Sequence, residues 1–284
     1  MRGQPLNGEL SRGWGRQMKE VHMTRKALLM IFAAVLIGAA SVSGPRFVTA
    51  QTPETQVAQS WKGAVVYLPR TSQPVSIDKI RTDKPYPVAI FMHGCAGITP
   101  NSDNHEWAKL LASEGLLVVM PDSLARSDRK PSCDPKTRRG GLFPPVHGMR
   151  LEEIKYASEQ IRSQPWFDGK NLVLMGFSEG AVAVVRTKLS GFRGVIASSW
   201  TCTNTKAPAF DGIYLPPETP LLTLAHEEDP WYPGEQFRGT CSQKMSGRAD
   251  SHHVTVPGRE HGTYDSKEAR EAVVQFVKRL LSSS

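Results

Sequence analysis

The stretch Gly176-Phe177-Ser178-Glu179-Gly180 constrains this chain more than any other. A short apolar run with strand character, 171–175, leads into it, and Ala181-Val182-Ala183-Val184-Val185 can continue from it as a helix. Strand, sharp turn, then helix is the setting in which G-x-S-x-G holds a serine hydroxyl above the edge of a sheet. The glycines follow from sterics, because bulky neighbours would collide with the adjoining strand and helix. The free N–H groups of the helix start aim at the same point. Composition alone produces such a pattern in on the order of one chain in ten of this length. The rest of the sequence must therefore supply the partners that a reactive serine needs.

The flanking pattern is that of an α/β protein. Strands are expected at 61–68, 87–92, 116–120, 172–175, 195–199, 221–225 and 252–256, with a short one near 75–77. Helices are expected at 104–114, 148–164, 179–189 and 265–281, each with apolar residues recurring at helical spacing. Such alternation predicts one mostly parallel sheet with helices on both faces. It spans a single domain over 51–284, which 284 residues at 39% hydrophobic content can support. Residues 51–60 read as a polar linker, 122–147 as a long Pro- and Gly-rich loop, and 230–237 as a turn or short helix. In open parallel sheets ligands bind beyond the carboxyl ends of the strands, so each loop after a strand is a candidate wall of a site.

A serine hydroxyl needs a base to take its proton, and the base needs an orienting acid. In a strand–turn–helix setting the order along the chain is Ser, acid, His. Four histidines follow Ser178. His252 and His253 lie within one expected strand, where neighbours face opposite ways, and His226 opens the loop after 221–225. His261, in Pro257-Gly258-Arg259-Glu260-His261-Gly262, sits on a loop beyond the last strand and is the expected base. The acid should come from the loop after 221–225, where Glu227, Glu228 and Asp229 compete. Asp229, at the turn and before Pro230, is the best placed. A developing oxyanion needs donors. The backbone N–H of Glu179 is one, and Cys95 or Ala96, in the loop after 87–92, is the other. His93 and Gly94 would shape that loop.

These segments together resemble the dienelactone hydrolase branch of the α/β-hydrolase superfamily. The matching motifs are His93-Gly94-Cys95-Ala96-Gly97, Pro121-Asp122-Ser123, the serine turn, Glu228-Asp229-Pro230-Trp231-Tyr232-Pro233 and the loop around His261. The resemblance implies an α/β-hydrolase fold, a Ser178–Asp229–His261 triad, Cys95 as oxyanion-loop donor, and neither cofactor nor metal. Trp231, inside the fourth motif, joins the substrate-binding candidates. One departure stands out: dienelactone hydrolases proper use a cysteine nucleophile, and this chain has Ser178. Dienelactone is thereby in doubt as substrate, while hydrolysis of an ester or similar acyl bond remains the implied reaction. A peptidase or acyltransferase on the same residues, or a silent binding protein of this fold, are the rival readings.

The formal charge of +8 is unevenly spread. Residues 1–50 hold seven Lys/Arg against two Glu, and the remainder 28 against 25 Asp/Glu. A body so weakly basic, without interleaved aromatics, excludes a nucleic-acid partner. Arg25-Lys26, the apolar run 27–40 and the small residues to Ala50 read as an export signal, with Met18 or Met23 as alternative starts. The segment is either cleaved near Ala50 or kept as a membrane anchor over 27–43. Export to a periplasmic or extracellular space fits four cysteines paired as two disulfides. Each of them follows a strand on the sheet's carboxyl side, and the expected pairs are Cys95–Cys133 and Cys202–Cys241. The loop 122–147 is rich in Arg and Lys and should overhang the site. Arg138 and Arg139 are the expected contacts to a small acyl substrate that carries a carboxylate.

Overall fold

A computed structural model describes residues 53–282 apart from 101, 142, 205–209, 238 and 239. The expected export segment 1–50 and the alternative starts Met18 and Met23 lie outside the described residues. In chain order the elements are α1 (Pro53–Lys62), β1 (Val65–Tyr67), β2 (Pro74–Ser76), β3 (Tyr86–Met92), α2 (Asp103–Ser113), β4 (Leu117–Met120), β5 (Cys133–Asp134) and β6 (Arg139–Gly140). They continue with α3 (Pro144–Arg162), β7 (Phe167–Phe177), α4 (Glu179–Arg186), β8 (Gly194–Ser198), β9 (Leu221–His226), α5 (Thr240–Lys244), β10 (His252–Val256) and α6 (Lys267–Ser282).

Eight strands form one sheet in the order β10-β9-β8-β7-β3-β4-β1-β2. Pairing is parallel from β10 through β4, and β1 and β2 close the edge antiparallel. The central strands carry near-continuous apolar runs because both of their faces are covered. Alternation divides each run between two cores. Val88, Ile90, Met92, Leu172 and Leu174 face one, with Ile154, Ile161 and the apolar residues of α4. Ala89, Phe91, Val173 and Met175 face the other, with Trp107, Leu111, Val273 and Phe276 from α2 and α6. The serine turn lies on β7, in the middle of the sheet, where backbone is pinned on both sides by β3 and β8.

Three sequence expectations give way. Residues 51–60 are not a bare linker: α1 begins at Pro53 and runs through Trp61, so the strand expected from 61 shrinks to Val65–Tyr67. The cause is tertiary. Val57 and Ser60 are buried, Ser60 O accepts the Asp122 N–H at 3.0 Å, and a Cβ on Gly63 would meet Ala125 at 2.7 Å. The loop 122–147 holds a small β5–β6 hairpin, and α3 starts at Pro144 rather than 148, since proline suits a first helical turn. The short helix α5 was not expected from the sequence at all.

Both disulfides pair as expected. Cys95–Cys133 joins the loop after β3 to the hairpin, with Cα atoms 5.6 Å apart, and Cys202–Cys241 joins the loop after β8 to α5 at 4.9 Å. Among the described residues no helix is long and apolar enough to cross a membrane.

Candidate active site

Ser178 occupies the turn between β7 and α4 with φ 54° and ψ −115°, a left-handed conformation that costs a non-glycine residue energy. The flanking glycines are dictated by space. A Cβ on Gly176 would lie 2.3 Å from Gly180 O, and one on Gly180 would lie 2.0 Å from Met92 O. The end of β3 and the start of α4 therefore touch backbone to backbone. Ser178 N donates to Ser198 O at 2.9 Å, tying the turn to β8.

His261 Nε2 lies 2.8 Å from Ser178 Oγ, and its Nδ1 lies 2.8 and 3.0 Å from the two oxygens of Asp229. Asp229 is 2% exposed, and its Oδ1 also accepts the Trp231 N–H at 2.9 Å. A buried carboxylate aimed at Nδ1 fixes the tautomer that leaves Nε2 free to accept from the serine. The loop that carries His261 is held at several points. Ser199 Oγ donates to His261 O, Ser198 and Thr263 join hydroxyls at 2.8 Å, and the His226 ring sits between the carbonyls of Pro257 and Gly262. The rings of Phe177 and Trp231 each lie 5.4 Å from that of His261. Glu228, the next acid candidate, instead pairs with Arg259 at 2.6 Å on the surface.

Behind the serine lies a charge cluster that the sequence reading did not foresee. Glu179 is buried and its carboxylate takes Arg129 at 2.7 Å and the Ser132 hydroxyl. Arg150 and Glu153 are buried together on α3 at 3.0 Å, and Ser123 Oγ donates to Glu153 at 2.7 Å. Burial pushes the Glu153 carboxyl up, against the pull of Arg150. Arg150 also donates to His93 O at 2.7 Å. His93 is fully buried, receives the Ser123 N–H on Nε2 at 2.9 Å and places Nδ1 2.7 Å from Gly94 O. Burial and the nearby Arg150 charge push its pKa well below the ordinary histidine range. It is a neutral brace for the loop of Gly94 and Cys95, the shaping role expected of it. The spacing Arg150–Glu153, one helical turn on an otherwise apolar face, was the available signal for this cluster.

Two lobes of one cavity meet at Ser178. The wide lobe holds about 760 Å³ and is lined by His261, Phe177, Thr99, Asp103, Arg138 and Glu260, among others. The narrow lobe holds about 320 Å³, with Glu179, Tyr232, Phe237, Gln236, Gly140 and Gly141 in its wall. Cys95, Ser178 and Trp231 border both. The expected site residues thus assemble with one exception. Arg138, at the hairpin tip, reaches the wide lobe, whereas Arg139 is exposed within the β5–β6 ladder and lines neither lobe. Arg138 stands in the turn just before β6 with a positive φ of 53°, whereas Arg139 is the first residue of the ladder and pairs with Asp134, so the two are presented by different backbone conformations. Arg126 and Arg129, from the same loop, turn inward to Asp128, Glu153 and Glu179. Among the described residues no group of three or more His, Cys, Asp or Glu is placed to hold a metal ion.

Comparison with known proteins accords with this architecture. The model of the dienelactone hydrolase family matches residues 77–279. The chain belongs to that family. No curated protein matches it in sequence. Among solved structures, this family member resembles the dienelactone hydrolase of Anabaena variabilis at 15% identity and a TM-score of 0.53, over 78% of this chain and 90% of that one. A phospholipase/carboxylesterase of Dyadobacter fermentans matches at 15% and 0.50, over 76% and 96%. A hyperthermophilic esterase of Pyrobaculum calidifontis matches at 15% and 0.50, over 81% and 90%. Likeness at such identity is a likeness of fold: the α/β-hydrolase sheet with helices around it. Family membership makes the protein a hydrolase of the dienelactone hydrolase family.

Proposed function

We propose that this member of the family is a serine hydrolase that cleaves a small-molecule ester through an acyl-enzyme on Ser178. The observation that carries the reading is the single imidazole of His261, which bridges Ser178 Oγ at 2.8 Å and the buried Asp229 carboxylate at 2.8 Å. Ser178 Oγ bonds to the substrate carbonyl carbon while its proton passes to His261 Nε2. The carbonyl oxygen becomes an oxyanion held by the N–H groups of Glu179 and Cys95. The carbon–alkoxide bond then breaks, and the alcohol leaves with the proton from His261. Water reverses the sequence: it gives a proton to His261, bonds to the acyl carbon, and releases the acid as Ser178 recovers its proton. Asp229 remains ionised and stabilises the imidazolium. No cofactor or metal takes part in these steps.

The anionic-substrate reading narrows to Arg138, which makes no ion pair among the described residues and lines the wide lobe. A carboxylate on the substrate would be held there by a bidentate contact. Asp103 and Glu260 share that lobe, so the effect is a local contact rather than a field over the whole mouth. Two disulfides support an exported enzyme in an oxidising compartment. A fluorophosphonate probe tests the core of the proposal. It should label Ser178 and block turnover of p-nitrophenyl esters. Absence of label, with no ester turned over, would leave a binding protein of this fold.

A further inference from the structure

The narrow lobe is a second arm of the site with its own chemistry, and the proton path decides what each arm holds. In the tetrahedral adduct on Ser178, the leaving oxygen must come within hydrogen-bond reach of His261 Nε2, because that nitrogen delivers its proton. His261 lines the wide lobe and not the narrow one. The oxyanion points at the donors of Glu179 and Cys95. The remaining substituent on the carbon, the acyl group, is left facing the lobe that Glu179 borders. We propose that the narrow lobe is an acyl pocket for a flat aromatic acid and that the wide lobe takes a polar alcohol. The assignment rests on the hydrolase reading above.

The walls argue the class of acid. Trp231, Tyr232 and Phe237 present ring surface, and Tyr232 and Phe237 meet at 6.0 Å between centroids and 58° between planes. Rings so disposed favour an aromatic guest by offset or edge contacts. Gly140 and Gly141 line the same lobe with backbone alone. Gly140 has φ 95°, and a Cβ there would lie 2.2 Å from Ser132 O, so that stretch stays bare of side chains. A lobe of about 320 Å³ lined by rings and bare backbone suits a planar group. The wide lobe instead offers Asp103, Arg138 and Glu260, which suits a hydroxylated or charged alcohol.

The experiment reads two selectivity ratios from kcat/KM. The acyl ratio compares 4-nitrophenyl benzoate with 4-nitrophenyl acetate, and the alcohol ratio compares benzyl acetate with ethyl acetate. Gln236→Trp, which narrows the small lobe only, should lower the acyl ratio tenfold or more and move the alcohol ratio less than threefold. Thr99→Trp, in the wide lobe only, should do the converse. The opposite pairing, or both ratios moving together in each variant, overturns the assignment while leaving the hydrolase intact. If Gln236→Trp does not fold, Phe237→Ala gives the complementary reading, raising kcat/KM for 4-nitrophenyl 2-naphthoate relative to benzoate. No such rise would overturn the assignment too. A wild type that turns over none of these esters and takes no label at Ser178 removes the underlying reading, and this one with it.

Discussion

Arg129 and Arg138 lie close together on one loop and end in opposite surroundings. Arg129 is buried behind the serine, clasped by Glu179 and beside Ser132. Arg138 stands exposed at the hairpin tip, over the wide lobe. The rear wall is buried and ion-paired, and its charges fix backbone: Glu179 begins α4, and Arg150 holds the carbonyl of His93. At the mouth Arg138 and Glu260 are exposed to water, where salt screens them and they can turn to a ligand. Equal charge on neighbouring residues therefore serves rigidity on one side and recognition on the other.

The largest expected effect tests where the two regions meet. Ser178→Ala and His261→Ala should each lower kcat on the order of 10⁴-fold or more with little change in unfolding midpoint, since such residues act as a unit. Ester turnover that survives Ser178→Ala would remove the meeting point. Next comes the rear wall. Arg129→Met leaves the buried Glu179 with the Ser132 hydroxyl and only the more distant Arg150, at 3.9 Å, which should cost about 3 kcal/mol in denaturant unfolding. Adding Glu179→Leu should recover most of that loss. Arg138→Met should stay within about 0.5 kcal/mol of wild type. Equal losses for the two arginines would erase the contrast.

The Cys95–Cys133 bond spans both regions, since Cys95 borders both lobes and Cys133 opens the hairpin. Replacing both by Ala should cost roughly 3–4 kcal/mol and lower kcat more than it raises KM, because the oxyanion loop loses its tie. Unchanged kcat would mean that His93 and Arg150 hold that loop alone.

Acid should weaken the rear wall first. His93 is held well below its ordinary pKa by burial and Arg150, and His147, beside α4, is lowered to about 4 by burial and Arg186. Below 6.5 the unfolded chain binds protons that the folded chain refuses, so stability is intact above that pH and declines as pH falls toward 4. Thermal unfolding from pH 7 to 4.5 should show the decline, and His147→Gln should make it shallower while leaving the part that belongs to His93. A midpoint flat over that range would contradict the neutral brace. The smallest effect belongs to Arg138→Ala, expected to cut the preference for a carboxylate-bearing ester severalfold, with weak dependence on salt.

The sequence was most legible where local chemistry and topology agree. The serine turn, the loop of His261 and the acid after β9 each follow a strand end, so chain order alone brings Ser178, Asp229 and His261 together. The disulfides were legible for the same reason. Charge was not. Arg126, Arg129 and Arg150 carry no local sign of burial, because their partners Glu153 and Glu179 become neighbours only when α3 packs behind the serine turn. Helix α1 was missed likewise: its polar residues, such as Gln56 and Gln59, form a helix because they bond the turn at Ser127. Arg139 fell outside the cavity because it is held in the β5–β6 ladder opposite Asp134, while Arg138 stands in the turn before it.

The backbone contact between Gly180 and Met92 O has a further consequence for redesign. The turn that carries the nucleophile is packed main chain against main chain, so its position does not depend on the side chains at the rim. Randomised at 176 and 180, a gene library should return glycine almost without exception. Randomised at 99 and 236, it should return many folded proteins whose serine has not moved. Substrate scope can thus drift at the rim while the reactive centre stays fixed, which is the condition under which one scaffold acquires many specificities.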